Sequence, residues 1–167
     1  MADFIKGTQQ RTLLFGNQVV RSATLQPATG TGTLFTVTGG AILVTSLFGL
    51  VTVATPATAN TLALGTAPTV GTAATAGIAT AESTASLQAG TWIGIQAASV
   101  VAGTPDVYTL GKLAVSGASG AGNVMFETAD FTVSAGTITW TTTGTAATGT
   151  IAWYLSYVPL DTGASVA

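Results

Sequence analysis

Thr150-Ile151-Ala152-Trp153-Tyr154-Leu155-Ser156-Tyr157-Val158 decides how this chain has to be read. Successive side chains of an extended strand point to opposite sides. Ile151, Trp153, Leu155 and Tyr157 therefore share one face, and Ala152, Tyr154, Ser156 and Val158 the other. Pro159, with no backbone donor, ends the strand. Just upstream, Thr137-Ile138-Thr139-Trp140-Thr141 alternates polar and apolar, and residues 144–149 read as a loop. The two runs predict a C-terminal hairpin, in which opposed aromatic and β-branched side chains contribute roughly 0.2–1 kcal/mol per pair. Trp153 is expected to be buried against Ile138 or Trp140, across that hairpin or from a neighbouring sheet. Gly136-Thr137-Ile138-Thr139-Trp140 also resembles Gly149-Thr150-Ile151-Ala152-Trp153, and residues 71–75 (Gly-Thr-Ala-Ala-Thr) recur as residues 144–148. Two readings stand side by side: chance in a Gly/Thr/Ala-rich chain, or two equivalent hairpins at one end of a sandwich.

The same β character extends toward the N-terminus. Leu34-Phe35-Thr36-Val37-Thr38 meets Gly39-Gly40, and Ala41-Ile42-Leu43-Val44 and Leu47-Phe48-Gly49-Leu50-Val51-Thr52-Val53 follow. A diglycine between two such runs predicts a two-residue hairpin pairing residues 34–38 with 41–45. The near-continuous apolar runs suit strands covered on both faces, as in a sandwich or a subunit interface. Residues 55–86 are low in complexity. Pro56 and Pro68 are expected to break any central strand there, Leu62-Ala63-Leu64 and Ile78 mark short strands, and a weak Ala-rich helix over residues 72–88 is the competing reading. Trp92-Ile93-Gly94-Ile95 and residues 108–115 read as strands, and residues 116–123 (Ser-Gly-Ala-Ser-Gly-Ala-Gly-Asn) as a loop. Thr, Val and Ile with aromatics favour pleated surfaces, and 21 glycines supply turns, so the chain is all-β.

Composition narrows the function. Only 6% of the residues are charged and 47% are hydrophobic, and no ionisable side chain occurs between Arg21 and Glu82. Such a chain keeps its apolar surface from water by stable association with its own copies or a larger assembly. The few charges are segregated. Residues 1–21 hold Lys6, Arg11 and Arg21 against Asp3, whereas the remainder holds Lys112 against Glu82, Asp106, Glu127, Asp130 and Asp161. An N-terminal arm over residues 1–21 is expected, followed by one β-sandwich domain over residues 22–167. Phe4, Ile5, Lys6, Arg11 and Arg21 are the arm's candidate contacts with an acidic partner surface. Three spread cations are too few for a nucleic-acid site. The apolar stretch over residues 41–54 is too short for a bilayer, which takes about 20 apolar residues, and residues 1–6 lack the layout of a signal peptide. The expectation is synthesis in a cytoplasm, with no membrane partner.

Chemistry-bearing patterns are sparse. There is no Cys and no His, so thiolate chemistry, disulfides and imidazole catalysis are excluded. The nearest carboxylates, Glu127 and Asp130, read as solvated turn charges, and the hydroxyls have no activating base in view. No enzyme activity, cofactor or metal is expected. Trp92, Trp140, Trp153 and Tyr157 are the candidate core or interface anchors. An alternative role for such aromatics, together with Tyr108 and Tyr154, is a stacking platform for sugars or bases.

Two runs carry a resemblance: Gly39-Gly40-Ala41-Ile42-Leu43-Val44-Thr45-Ser46-Leu47-Phe48-Gly49, and the ending from Gly149-Thr150-Ile151-Ala152-Trp153-Tyr154 through Pro159-Leu160-Asp161-Thr162-Gly163-Ala164. They resemble small β-rich virion proteins of tailed bacteriophages, of the type that decorates or cements the head. The resemblance implies an antiparallel, jelly-roll-like β-sandwich, a homo-oligomer (a trimer), the major capsid protein as partner and the head surface as location. It carries no catalytic residues. A tail-fibre or spike module binding host glycans is the alternative.

Overall fold

A computed structural model describes residues 12, 16–25, 29–58, 60–96, 111–115, 130–144 and 149–167. Its strands are β1 (Asn17–Leu25), β2 (Gly30–Thr38), β3 (Ile42–Val53), β4 (Asn60–Pro68), β5 (Ala74–Ser83), β6 (Trp92–Gln96), β7 (Gly111–Val115), β8 (Phe131–Val133), β9 (Gly136–Gly144), β10 (Thr150–Pro159) and β11 (Ser165–Val166). The protein is an all-β sandwich. Residues 74–83 form a strand, so interleaved Thr and the pairing partner β4 prevail over the helix propensity of Ala. Among the described residues no helix is long and apolar enough to cross a membrane.

The hydrogen-bonded order is β1-β10-β3-β6-β7-β5-β4-β9-β2-β11, with β8 on the side of β3. It folds into two layers, β1-β10-β3-β6 and β5-β4-β9-β2, joined along one flank where β7 pairs antiparallel with β6 and parallel with β5. Following the chain, β1, β3, β6 and β10 fall in one layer and β2, β4, β5 and β9 in the other. That alternation is the jelly roll.

It overturns both expected hairpins. β2 pairs with β9 and β11, not with β3, so Gly39-Gly40 carries the chain between layers. β9 pairs with β4 and β2, while β10 pairs with β1 and β3, so residues 137–141 and 150–158 face each other across the sandwich. Local sequence specifies each strand and the break between them; which edge the strand then meets depends on the apolar faces available elsewhere.

The two tryptophan-bearing strands use one packing device twice. Trp153 of β10 stands opposite Gly49 of β3, and Trp140 of β9 opposite Gly32 of β2. A Cβ on Gly49 would come within 2.8 Å of Ile151 and 3.2 Å of the Trp153 ring, and a Cβ on Gly32 would run into the Trp140 indole. Each indole thus lies over a neighbouring strand where a side chain is missing. Both rings belong to the buried core, with Leu34, Phe35, Leu47, Leu62, Ile93, Ile138 and Leu155. The face Ile151, Trp153, Leu155, Tyr157 is the inward one, as expected. The repeated Gly-Thr-Ile-x-Trp pattern therefore marks equivalent strands of facing layers rather than two arms of one hairpin.

Gly39 and Gly40 have φ of 74° and 140°, a region that disfavours side chains. They also lie against the C-terminal turn: a Cβ on Gly39 would meet the Gly163 carbonyl, and one on Gly40 the Asp161 side chain. Asp161 Oδ2 accepts the Ala41 N–H at 2.7 Å, and the Leu160 N–H donates to the Ala41 carbonyl at 3.0 Å. Beyond this corner β11 pairs with β2, and the Val166 N–H donates to the Tyr157 hydroxyl at 3.3 Å. The quoted runs 39–49 and 149–164 thus meet in space. At the other end, β1 begins at Asn17, so the sandwich starts five residues before the expected boundary at residue 22.

Trp153→Ala is expected to lower stability by about 3–5 kcal/mol, as for a core aromatic. Gly49→Ala should cost about 1–3 kcal/mol by overpacking. In the double variant the two losses should be less than additive, because each acts on the same space; denaturant melts of the four proteins measure the coupling. Gly40→Ala is expected to cost about 1–3 kcal/mol through its positive φ and the collision with Asp161, read as a lowered denaturation midpoint.

Candidate functional site

Because β1, β10, β3 and β6 turn alternate residues inward, their remaining side chains form an outer face. Register fixes its composition. Val20 pairs with Tyr154, Tyr154 with Phe48, and Phe48 with Gly94, in one row across four strands; Leu50 pairs with Trp92 in the next. The Phe48 and Tyr154 rings stack at 5.1 Å with planes 15° apart. Trp92 leans on both, 5.5 Å from Phe48 and 6.3 Å from Tyr154, at 60° and 47°. Such pairs add about 0.5–1.5 kcal/mol beyond area burial.

The face is apolar and open. Val20 is 63% exposed, Trp92 40% and Val158, further along β10, 36%. These are half of the six exposed large hydrophobic residues among the described ones. No Asp, Glu, Lys or Arg occupies a described outward position of the four strands.

The opposite outer face has a different chemistry. There β9 presents Thr137, Thr141 and Thr143, with the buried Thr139 in the same row, flanked by the exposed Thr31, Thr33 and Thr36 of β2. Hydroxyls bond across strands, Thr31 to Thr141 at 2.9 Å and Thr61 to Thr143 at 2.6 Å. One side of the sandwich thus centres on aromatic rings, with a hydroxyl pair, Thr52–Thr150, at its end, and the other is rich in threonine.

The expected site residues divide. Trp140, Trp153 and Tyr157 are 7%, 2% and 5% exposed and belong to the core. Trp92 alone of the four anchors lies outward. Phe4, Ile5, Lys6 and Arg11 fall outside the described residues. Arg21 sits in β1 opposite Trp153, half-buried, its Nε enclosed without a hydrogen-bond partner among the described residues. It is part of the sandwich edge rather than of an arm. Tyr108 and Glu127 also lie outside the described residues, and Asp130 is exposed just before β8.

Val20 and Phe48 were not singled out from the sequence as surface groups, and Tyr154 entered only in the alternative stacking platform. For Tyr154 the signal was present, since it alternates with Trp153 and Leu155. For Phe48, inside a continuous apolar run, it was not. Among the described residues no three of His, Cys, Asp and Glu come together as a metal site. What the aromatic face offers, among the described residues, is contact area and ring faces, with the Trp92 indole N–H, hydroxyls and amides as its polar groups. No protein-family model matches the chain, and neither the curated proteins nor the solved structures contain a match to it.

Proposed function

We propose that this chain is a structural protein of a tailed-phage virion, a decoration or cement protein that assembles as a trimer on the head and bridges neighbouring capsid subunits. The observation that carries this reading is a jelly roll with one outer face aromatic and uncharged, in a chain with only 6% charged residues. A surface of this kind is matched by another protein surface, because contact removes apolar area from water at roughly 25 cal/mol per Å². The sequence resemblance at residues 39–49 and 149–164 supplies the virion context. The mechanism is additive: each bridged capsid joint gains buried area, and the sum resists pressure from packaged DNA.

Capsid contact is assigned to the arm. Phe4 and Ile5 fill apolar pockets, while Lys6 and Arg11 pair with acidic capsid residues. Ion pairs at a rim contribute specificity and salt sensitivity more than affinity, so the apolar anchors dominate. Arg21, held in β1, belongs to the body. The second reading, a tail-fibre or spike module for host glycans, is favoured by one observation: Trp92 is 40% exposed, and an indole face can stack on a sugar ring. Immunogold labelling or cryo-microscopy of particles separates the two, head for the first and tail for the second.

Deletion of residues 2–10 is expected to leave the body folded and oligomeric but to weaken or abolish binding to undecorated heads. Co-sedimentation with heads measures it. Parental occupancy by the truncated protein would move the capsid contact from the arm to the sandwich.

A further inference from the structure

We infer that the outer face of β1-β10-β3-β6, centred on Val20, Phe48, Trp92 and Tyr154, is where copies of this chain meet, and that the threonine face opposite it is turned to solvent. The inference rests on the assembly reading above and names its surface. Three observations point to a second copy as the occupant.

The first is charge. An acidic or basic partner would find nothing to pair with at the described outward positions of these strands, whereas a second copy brings a surface equally uncharged. The second is the contrast between the two outer faces. On the threonine side, hydroxyls bond in pairs such as Thr31–Thr141 and Thr61–Thr143, leaving a polar surface that water solvates well. On the aromatic side a hydroxyl pair, Thr52–Thr150, lies only at one end, and Val20 at 63% and Trp92 at 40% exposure present apolar side-chain surface to water. A sandwich amphipathic in this sense has one favourable orientation in an oligomer, aromatic face toward the axis.

The third is area. Four strands about 4.8 Å apart, over the span from Ser46 to Thr52 at about 3.3 Å per residue, make a plane on the order of 400 Å². The rings and Val158 standing from it extend the contact. A standard interface takes about 800 Å² from each partner. The face alone accounts for about half of that, with the rim of the sandwich supplying the remainder.

The chain has no cysteine, so a single engineered thiol reports unambiguously. The full-length protein is compared with Val20→Arg, Trp92→Gln, Val20→Cys and Thr33→Cys. Sedimentation equilibrium gives mass, far-UV circular dichroism gives fold, and a small aromatic disulfide reagent gives thiol accessibility. The expected result is an oligomeric parent, with Val20→Arg reduced to a folded monomer. The Val20→Cys thiol should be protected in the oligomer and reactive on dilution, while that of Thr33→Cys reacts in both states. Should Val20→Arg fail to fold, the Val20→Cys labelling, on a nearly parental side chain, decides alone.

A parent that stays monomeric up to high micromolar concentration overturns the inference. So does an oligomer that survives both Val20→Arg and Trp92→Gln, or a Val20→Cys thiol as reactive in the oligomer as that of Thr33→Cys. The capsid reading is tested separately on heads. A monomeric parent that nonetheless binds undecorated heads would refute this surface as a self-contact and leave the decoration function standing.

Discussion

The fold depends on two indoles laid over two missing side chains. Sheets that pack face to face leave about 10 Å between them, and that space has to be filled without voids. In a chain with 7% aromatic residues and many Ala, Gly and Thr, large fillers are few. Trp140 and Trp153 supply them, one from each layer, and each can lie flat because its cross-strand neighbour is Gly32 or Gly49. Removing the ring leaves a cavity; adding a Cβ beneath it leaves no room. The surrounding leucines and isoleucines pack against the volume the rings define.

The same arrangement explains why the two outer faces differ. On β9 the inward set is Ile138, Trp140 and the buried Thr142, which leaves Thr137, Thr141 and Thr143 at the surface, with Thr139 between them covered. On β10 the inward set is Ile151, Trp153, Leu155 and Tyr157, which leaves Tyr154 outside beside Phe48. Two strands with nearly the same opening pentapeptide thus present opposite chemistries to the exterior. In a protein with few charges, the apolar face is the surface that gains most from being covered.

The corner at Gly39-Gly40 shows how far a local signal reaches. The diglycine was legible as a sharp break and is one, with both residues at positive φ. Its reading as a two-residue hairpin turn fails because the glycines serve a distant neighbour: they admit the turn around Asp161 and Gly163, more than 120 residues away in sequence. Arg21 is a comparable case. Its charge grouped it with Lys6 and Arg11, yet the backbone pairing of β1 with β10 sets it across from Trp153.

By itself the sequence determined that the chain is all-β, where most strands lie, and which face of residues 150–158 is buried. These are consequences of period-two alternation and β-branched composition, which act over a few residues. It also determined the scarcity of charge, and with it the case for association. Only the tertiary structure decided which strands pair, that consecutive strands other than β4 and β5 cross between layers, and that Phe48, Trp92 and Tyr154 converge on one exterior face. Strand pairing is chosen by the fit of whole apolar faces, and the partners Gly49 and Trp153 lie about a hundred residues apart. No local pattern carries that choice, because the same alternating strand fits many edges until the complete core selects one.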